Sequence, residues 1–505
     1  MGLRQLTEGI IGVARKPKIV SRTSTPSDAP KPAPAVEATP ARNNETPDRA
    51  SLRDREAARV FALAVDYHRR GMLEDAVRAY SRALNLDPTN PDIYNNLGVA
   101  LRAQGKLAAA IACYRRALVL RPRHAGTLAN LGNVLREQGN VRNAMAVFSQ
   151  AVRESPGSSE IIHNMGLAAR DAGDMELTVG CLESATSIKD DNAAAHLDLG
   201  LTMLALGNYE RGFRELEWRR KLPAYATRDV EAPEWDGKDL GGKTILILGE
   251  GSSGDVLQFA RYIPQVKKRG GNVIVECHAA LARIMANVAG VDRVVMSGSR
   301  TPACDVYAPM MSLPKILGQT KTIDGDAVPY IKPPDAVSTQ LPPASRNQLR
   351  VGLAWAPSNP GTSRNTRICP LEDMLELLAV PGFTGFSLQT GEHRKDLEEH
   401  TCDILLPDIG ARINDVSDLA GMIRQLDLVV CVDSVTAHIA GAMNKPVWLL
   451  ASTNADWRWN YAGETTPWYP SMRVFRQPQP GNWRAAINDV RDALQKRIND
   501  RFGEG

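Results

Sequence analysis

A 34-residue period constrains the first half of this chain more than any other feature. Gly71, Gly105, Gly139, Gly173 and Gly207 recur at that spacing, as do Gly98, Gly132, Gly166 and Gly200, and Ala83, Ala117, Ala151 and Ala185. Pro88, Pro122 and Pro156 close three of the units, with Asp190 at the equivalent place in the fourth. Several ladders locked to one period mark a repeat array. Each unit reads as two helices: an early Gly allows close helix approach, a middle Gly makes the turn, Ala packs in the second helix, and Pro punctuates.

These ladders resemble the tetratricopeptide repeat over about residues 57–220, as four full repeats and a fifth ending near Trp218. The fourth repeat departs, with Thr178 where the others have Ala76, Ala110 and Ala144. The resemblance implies an α-solenoid over 53–222 with a concave face that binds a protein partner. Asn96, Asn130 and Asn164 also recur at 34, with Asp198 next. Amides offer donors and an acceptor together and suit a peptide backbone. Such a ladder resembles the peptide-tracking asparagines of O-linked N-acetylglucosamine transferase. The alternative is that these Asn belong to the repeat consensus and bond within each repeat.

The chain has 505 residues, about three domains' worth at roughly 100–200 residues each. Residues 1–52 contain no aromatic residue, and 21–50 hold six prolines. Such a segment cannot offset its ordering entropy, and a disordered tail is expected. A short amphipathic turn at Leu3, Leu6, Ile10 and Val13 is the alternative to a frayed end there. The tail carries eight basic and five acidic side chains, so +3 of the +4 net charge sits in it. The near-neutral remainder argues against a nucleic-acid partner. No apolar run reaches 18 residues, so no membrane span is expected. Seven scattered cysteines lack metal or C-x-x-C spacing and read as free thiols, which with the absence of a signal peptide points to the cytoplasm.

From Lys243 the pattern changes to alternating strands and helices. Strand-like runs lie at Thr244–Leu248, Asn272–Glu276, Arg293–Met296, Arg350–Trp355, Gly385–Leu388, Leu426–Val432 and Pro446–Leu450. This predicts an α/β region with largely parallel sheet. The polar run Gln340–Asn347 divides it into two Rossmann-like halves, 243–335 and 349–485, with a C-terminal helix over 486–505.

The first strand ends in Gly249-Glu-Gly-Ser-Ser-Gly254, with Glu276 closing the next strand. That spacing matches a dinucleotide fingerprint. Asp255 puts a negative charge where a pyrophosphate would sit, and Pro264 interrupts the following helix, so the match is weak. Ser252-Ser-Gly-Asp-Val-Leu257 followed by Pro264 better resembles the metal-independent heptosyltransferase family of the GT-B fold, minus one loop residue. The resemblance implies that Asp255 is the general base, flanked by Ser253 and Gly254 at the donor, with a pKa raised in a closed cleft. Asp255 as a helix cap is the structural alternative. Val432-Asp-Ser-Val-Thr-Ala-His438 resembles the family's Asp-Thr-Gly-x-x-His-like motif, which implies Asp433, Ser434, Thr436 and His438 as donor-site residues. Val435 replaces the glycine. Arg364 and Arg367 precede Cys369-Pro370, where the family has a cation that neutralises the leaving diphosphate. No Asp-x-Asp triad suggests a metal, and no cofactor is implied beyond a nucleotide sugar as donor.

Asp456-Trp-Arg-Trp459, Pro467-Trp-Tyr-Pro470 and Phe475-Arg476-Gln477 complete a likeness to bacterial proteins in which tetratricopeptide repeats precede a heptosyltransferase-like domain, over about residues 57–485. Some of that group glycosylate flagellins. The aromatic cluster reads either as domain core or as a stacking platform. The resemblance implies a protein O-glycosyltransferase whose repeats hold a protein acceptor, flagellin among the candidates. The competing expectations are an inactive transferase-like scaffold and an assembly factor for flagellar or surface proteins.

Overall fold

The computed structural model describes residues 49–333, 340–342, 347–358 and 366–503. The tail through residue 48, residues 343–346 of the expected divide and Arg364 lie outside the described residues. The chain divides into two units, one through Leu199 and one from Gly200.

The first unit is a series of helical hairpins: α1 (Arg49–Arg69) with α2 (Leu73–Leu86), α3 (Pro91–Ala103) with α4 (Leu107–Leu120), α5 (Ala125–Glu137) with α6 (Val141–Glu154), and α7 (Ser159–Asp171) with α8 (Met175–Ile188). Helix therefore begins at Arg49, inside the segment expected to be tail. Caps recur with the period: the side chains of Asn90, His124, Ser158 and Asn192 each accept a first-turn amide of the helix that follows, which satisfies a donor that the helix cannot. Gly71, Gly105, Gly139 and Gly173 turn each hairpin at φ between 74° and 82°, a region other residues avoid. Tyr80, Tyr114, Phe148 and Leu182, also 34 apart, are buried. A Cβ on Gly98 would come within 2.6 Å of the Tyr114 ring, so the early glycine is the socket for the next helix's large side chain. Thr178 fits where Ala was expected because its hydroxyl donates to the Asp174 carbonyl at 2.7 Å.

The unit boundary falls within α9 (Ala193–Ala205), and α10 (Tyr209–Leu216) belongs to the second unit. The expected solenoid limit at residue 222 falls inside the second unit. Phe213 of α10 is buried between Phe259 and Trp468, at 6.5 Å from each ring. The Tyr461 amide donates to the Ala205 carbonyl at 3.1 Å. Arg219, fully buried, donates to Glu250, to Ser312 at 2.8 Å and to Glu217 at 3.0 Å.

The rest of the second unit holds two parallel sheets. The first has order β3-β2-β1-β4, built from β1 (Thr244–Leu248), β2 (Asn272–Cys277), β3 (Arg293–Met296) and β4 (Val306–Pro309). The second has order β6-β5-β7-β8-β9, from β5 (Leu349–Ala354), β6 (Phe383–Ser387), β7 (Leu428–Val432), β8 (Val447–Ala451) and β9 (Met472–Arg476). All seven expected strands are present within two or three residues; β4 and β9 were not anticipated. Strands β7 and β8 are apolar throughout, and β1 is apolar after Thr244, because both faces are covered. Helix α11 (Ser253–Phe259) follows β1, and α12 (Ile263–Lys267) carries Pro264 in its first turn after a short 3-10 stretch, so the interruption read from Pro264 is present. Helix α13 (Val435–Ala442) follows β7. The last helix, α14 (Trp483–Phe502), starts three residues before the expected limit and is part of the second sheet's core. Trp483, Ile487, Val490, Leu494 and Ile498 pack with Leu349, Val351 and Phe383, each large apolar side chain contributing about 1.5–3 kcal/mol by burial.

Candidate functional site

In an open parallel sheet, ligands bind beyond the carboxyl ends of the strands where the order reverses. The reversal lies between β1 and β4 in the first sheet and between β5 and β7 in the second. The segments after β1, β5 and β7 carry the expected α/β site residues that are described: Ser253, Gly254 and Asp255 on α11, Arg367 after β5, Asp433 and Ser434 after β7, and Thr436 and His438 on α13. The helices that follow β1 and β7 come together: a Cβ on Gly254 would sit 2.8 Å from His438 Nε2. Only Gly at 254 lets the α11 backbone approach this imidazole.

Ser252 and Asp255 form a capping box. Ser252 Oγ accepts from the Asp255 amide at 3.3 Å, while Asp255 Oδ2 accepts from the Ser252 amide at 2.6 Å and from Ser252 Oγ at 2.7 Å. The other oxygen, Oδ1, pairs with Arg458. Burial opposes the charge on Asp255, but Arg458 and the two Ser252 bonds outweigh it and hold the carboxyl below its ordinary value. The raised pKa expected of this residue is thus reversed by Arg458. Ser253 is half-buried at the first position of α11.

On the other side, Ser434 precedes α13 and its hydroxyl donates to the Val432 carbonyl at 3.0 Å instead of capping the helix. Thr436 and His438 are buried on α13. His438 Nδ1 lies 2.9 Å from the Tyr469 hydroxyl, and the ring packs on Trp459 at 5.2 Å. Burial, reinforced by Arg458, pushes His438 down to about 3, so the imidazole is neutral. Asp433 is buried, and Arg367, from the loop after β5, lies 3.8 Å away. Burial and the nearby Asp456 raise the Asp433 carboxyl to about 6, against the pull of Arg367, Arg458 and the Trp459 indole.

Arg458 is the centre that sequence reasoning missed. It is buried, donates to Asp456 Oδ1 at 2.8 Å, and pairs with Asp255 and with Gln258 Oε1. Burial opposes its charge, and Asp456 and Asp255 more than restore it. A signal was present in Asp456-Trp-Arg-Trp459, where opposite charges are interleaved with tryptophans. The expected aromatic cluster is core: Trp457, Trp459, Trp468 and Tyr469 are all buried. Glu276, the acid of the dinucleotide spacing, lies 2.9 Å from Arg228 of the chain itself, which occupies the carboxylate that would hold a ribose.

In the repeats, the Asn130 side-chain amide donates to Asn95 Oδ1 at 3.1 Å, and Asn95 donates to Asn96 at 3.2 Å. Thr127 Oγ1 donates to the same Asn95 oxygen at 3.0 Å. At the end of the ladder, Asp198 meets His163 at 2.7 Å and Arg170 at 3.2 Å. Burial opposes the Asp198 charge, and these two partners hold it below the ordinary carboxylate range. The bonds therefore run chiefly between consecutive repeats, where within-repeat bonds were the alternative. Asn164 is half-buried. The residue 35 positions before it is Ala129, which has no polar side chain to offer it.

Residues 66–105, 91–124 and 125–158 match tetratricopeptide-repeat family descriptions, so this segment is a tetratricopeptide-repeat array, a fold that serves protein interaction. "Protein FlbA" of Caulobacter vibrioides is 26% identical over 338 residues, covering 61% of this chain and 56% of the relative. The chain spans about half the length of that curated relative. Among solved structures, MamA aligns over 31% of this chain and 91% of its own at 21% identity and a TM-score of 0.29. PilF of Pseudomonas aeruginosa aligns over 43% and 87% at 20% identity and 0.33. No helix among the described residues is long and apolar enough to cross a membrane.

Proposed function

We propose that this chain is a protein O-glycosyltransferase in which the repeats hold a protein acceptor, flagellin among the candidates, and the two parallel-sheet halves act as a GT-B-like body that binds a nucleotide sugar. The observation that carries this reading is the meeting of the two helices that follow these strands. Helix α11 after β1 and helix α13 after β7, each behind a strand at a reversal of order, are in contact through Gly254 and His438. Two such crevices facing one another suit a donor whose diphosphate and sugar are recognised from opposite sides. Ser434, Thr436 and the α13 amides are hydrogen-bonding groups for phosphate oxygens, and Arg367 is a cation for the leaving diphosphate.

A second reading is favoured by one specific observation. Both oxygens of Asp255 are already engaged, one by Ser252 and one by Arg458. A carboxylate held this way is a poor proton acceptor. The site would then bind without transfer, and the protein would serve as an assembly factor through its repeats. The two readings are separated by incubating the purified chain with candidate flagellins and a panel of nucleotide sugars. A mass increase of one sugar on the acceptor supports transfer. Thermal stabilisation by a nucleotide sugar with no change in any acceptor's mass supports the binding-only reading. A ligand at about 100 times its Kd adds roughly 2.7 kcal/mol, readily visible as a shift. No stabilisation by any of the panel overturns both.

A further inference from the structure

The charges at the meeting point do not balance. Asp255, Asp433 and Asp456 face two guanidinium groups, Arg458 and Arg367. His438 is neutral there. Arg458 is committed to Asp255 and Asp456. Asp433 is left with Arg367 at 3.8 Å, a loose pair whose cation is nearly half exposed. The cluster is electrically neutral only when Asp433 carries a proton. Beside Arg458, the buried Gln258 Nε2 has no hydrogen-bond partner, and an unsatisfied buried donor is costly. Arg367, nearly half exposed, is a cation that an entering anion can reach.

We propose that Asp433 is a proton-linked gate in this site: a diphosphate group takes Arg367 when the Asp433 carboxyl is neutral, and the ionised carboxylate, competing for the same guanidinium, excludes it. This rests on the donor-site reading above and specifies how that site is regulated. The carboxylate and the diphosphate compete for the same cation, and a second buried anion beside Asp456 would leave the cluster still further from balance. The raised titration of Asp433, to about 6 from burial and Asp456, places the switch below neutrality. The groups that face Asp433 are Arg367 from the loop after β5, Asp456, Arg458 and Trp459 from the segment after β8, and Cys431 on β7 itself. Asp255 on α11 and His438 on α13 act on it through Arg458. Asp255 and His438 are depressed and Cys431 is raised, so none of these three changes charge between pH 6 and 8.

The test is titration calorimetry of the full chain with UDP-N-acetylglucosamine and GDP-mannose, whose diphosphates stay fully ionised from pH 5.5 to 9. Kd is expected to rise about tenfold per pH unit above pH 7, the signature of one proton taken up on binding. The same proton appears in the wild-type protein as a buffer-dependent heat, measured in two buffers of different ionisation enthalpy, which needs no variant. Asp433→Asn is expected to flatten the dependence and bind more tightly than wild type at pH 8, by up to about a hundredfold. Binding with a pH-independent Kd and no proton uptake overturns the gate and leaves the donor site standing. No binding of either probe at any pH overturns the gate and counts against the donor-site reading with it.

Discussion

Replacing Arg458 with Met removes a buried cation and keeps most of its volume. In the wild type the guanidinium holds Asp255, Asp456 at 2.8 Å and Gln258. Asp456 is about one-third exposed and can turn to water; Asp255 is not, with about one-eighth of its side chain exposed. Removing one partner of a buried pair costs about 3–5 kcal/mol. The Ser252 bonds to Asp255 persist in the variant, so the lower end of that range is expected. Every tryptophan lies after residue 200. Urea unfolding followed by tryptophan fluorescence therefore reports the second unit alone, and the shift in midpoint multiplied by the slope gives the loss. The pH dependence has a definite sign. Without Arg458, burial dominates and the folded Asp255 carboxyl titrates above its unfolded value, so protonation stabilises the variant. The gap to wild type narrows as pH falls from 7 towards 5. Adding Asp255→Asn to the Met variant should restore about 1–2 kcal/mol at pH 7. A single variant within about 1 kcal/mol of wild type, or a double variant no better than the single, would refute the reasoning.

Because burial pushes His438 down to about 3, the unfolded chain binds that proton more readily between there and pH 6.5. Stability supplied by the neutral imidazole is present above pH 6.5 and falls by up to about 1.4 kcal/mol per pH unit below it; His438→Gln should remove that slope from the tryptophan-monitored urea midpoints between pH 6 and 4. A chain starting at Gly200 should fold, while one starting at residue 223 loses Phe213 from between Phe259 and Trp468 and leaves Glu250 without Arg219. The shorter chain should bind a hydrophobic dye and lose cooperative unfolding. In the repeats, Gly98→Ala places a methyl 2.6 Å from the Tyr114 ring, a cost of about 1–3 kcal/mol from overpacking, read as faster hydrogen exchange over 91–120.

The repeat array was legible because one physical solution is written five times; even the caps at Asn90, His124, Ser158 and Asn192 follow the period. The buried strands were legible as apolar runs. Strand β4 was not, because Val306–Pro309 is four residues long and ends on a proline. Strand β9 was not, because Met472–Arg476 holds two arginines in five residues and no apolar run longer than two. In the site, Asp433 and His438 stood out because a motif follows an apolar strand. Arg458 did not, since an arginine is by default a surface residue and only the fold brings Asp255, some 200 residues earlier, to meet it. The same long-range pair reversed the titration expected for Asp255.

The last half-repeat has a consequence for how such a chain can vary. Helix α10 is written in the grammar of the repeats, yet its Phe213 and the following Arg219 are spent inside the α/β body. Arrays change length by gaining or losing 34-residue units. Here that drift is permitted only upstream of about Asn192, because the terminal copy answers to two selective demands at once. An exchange of repeat cassettes between relatives would have to cut inside the array and leave its final unit behind.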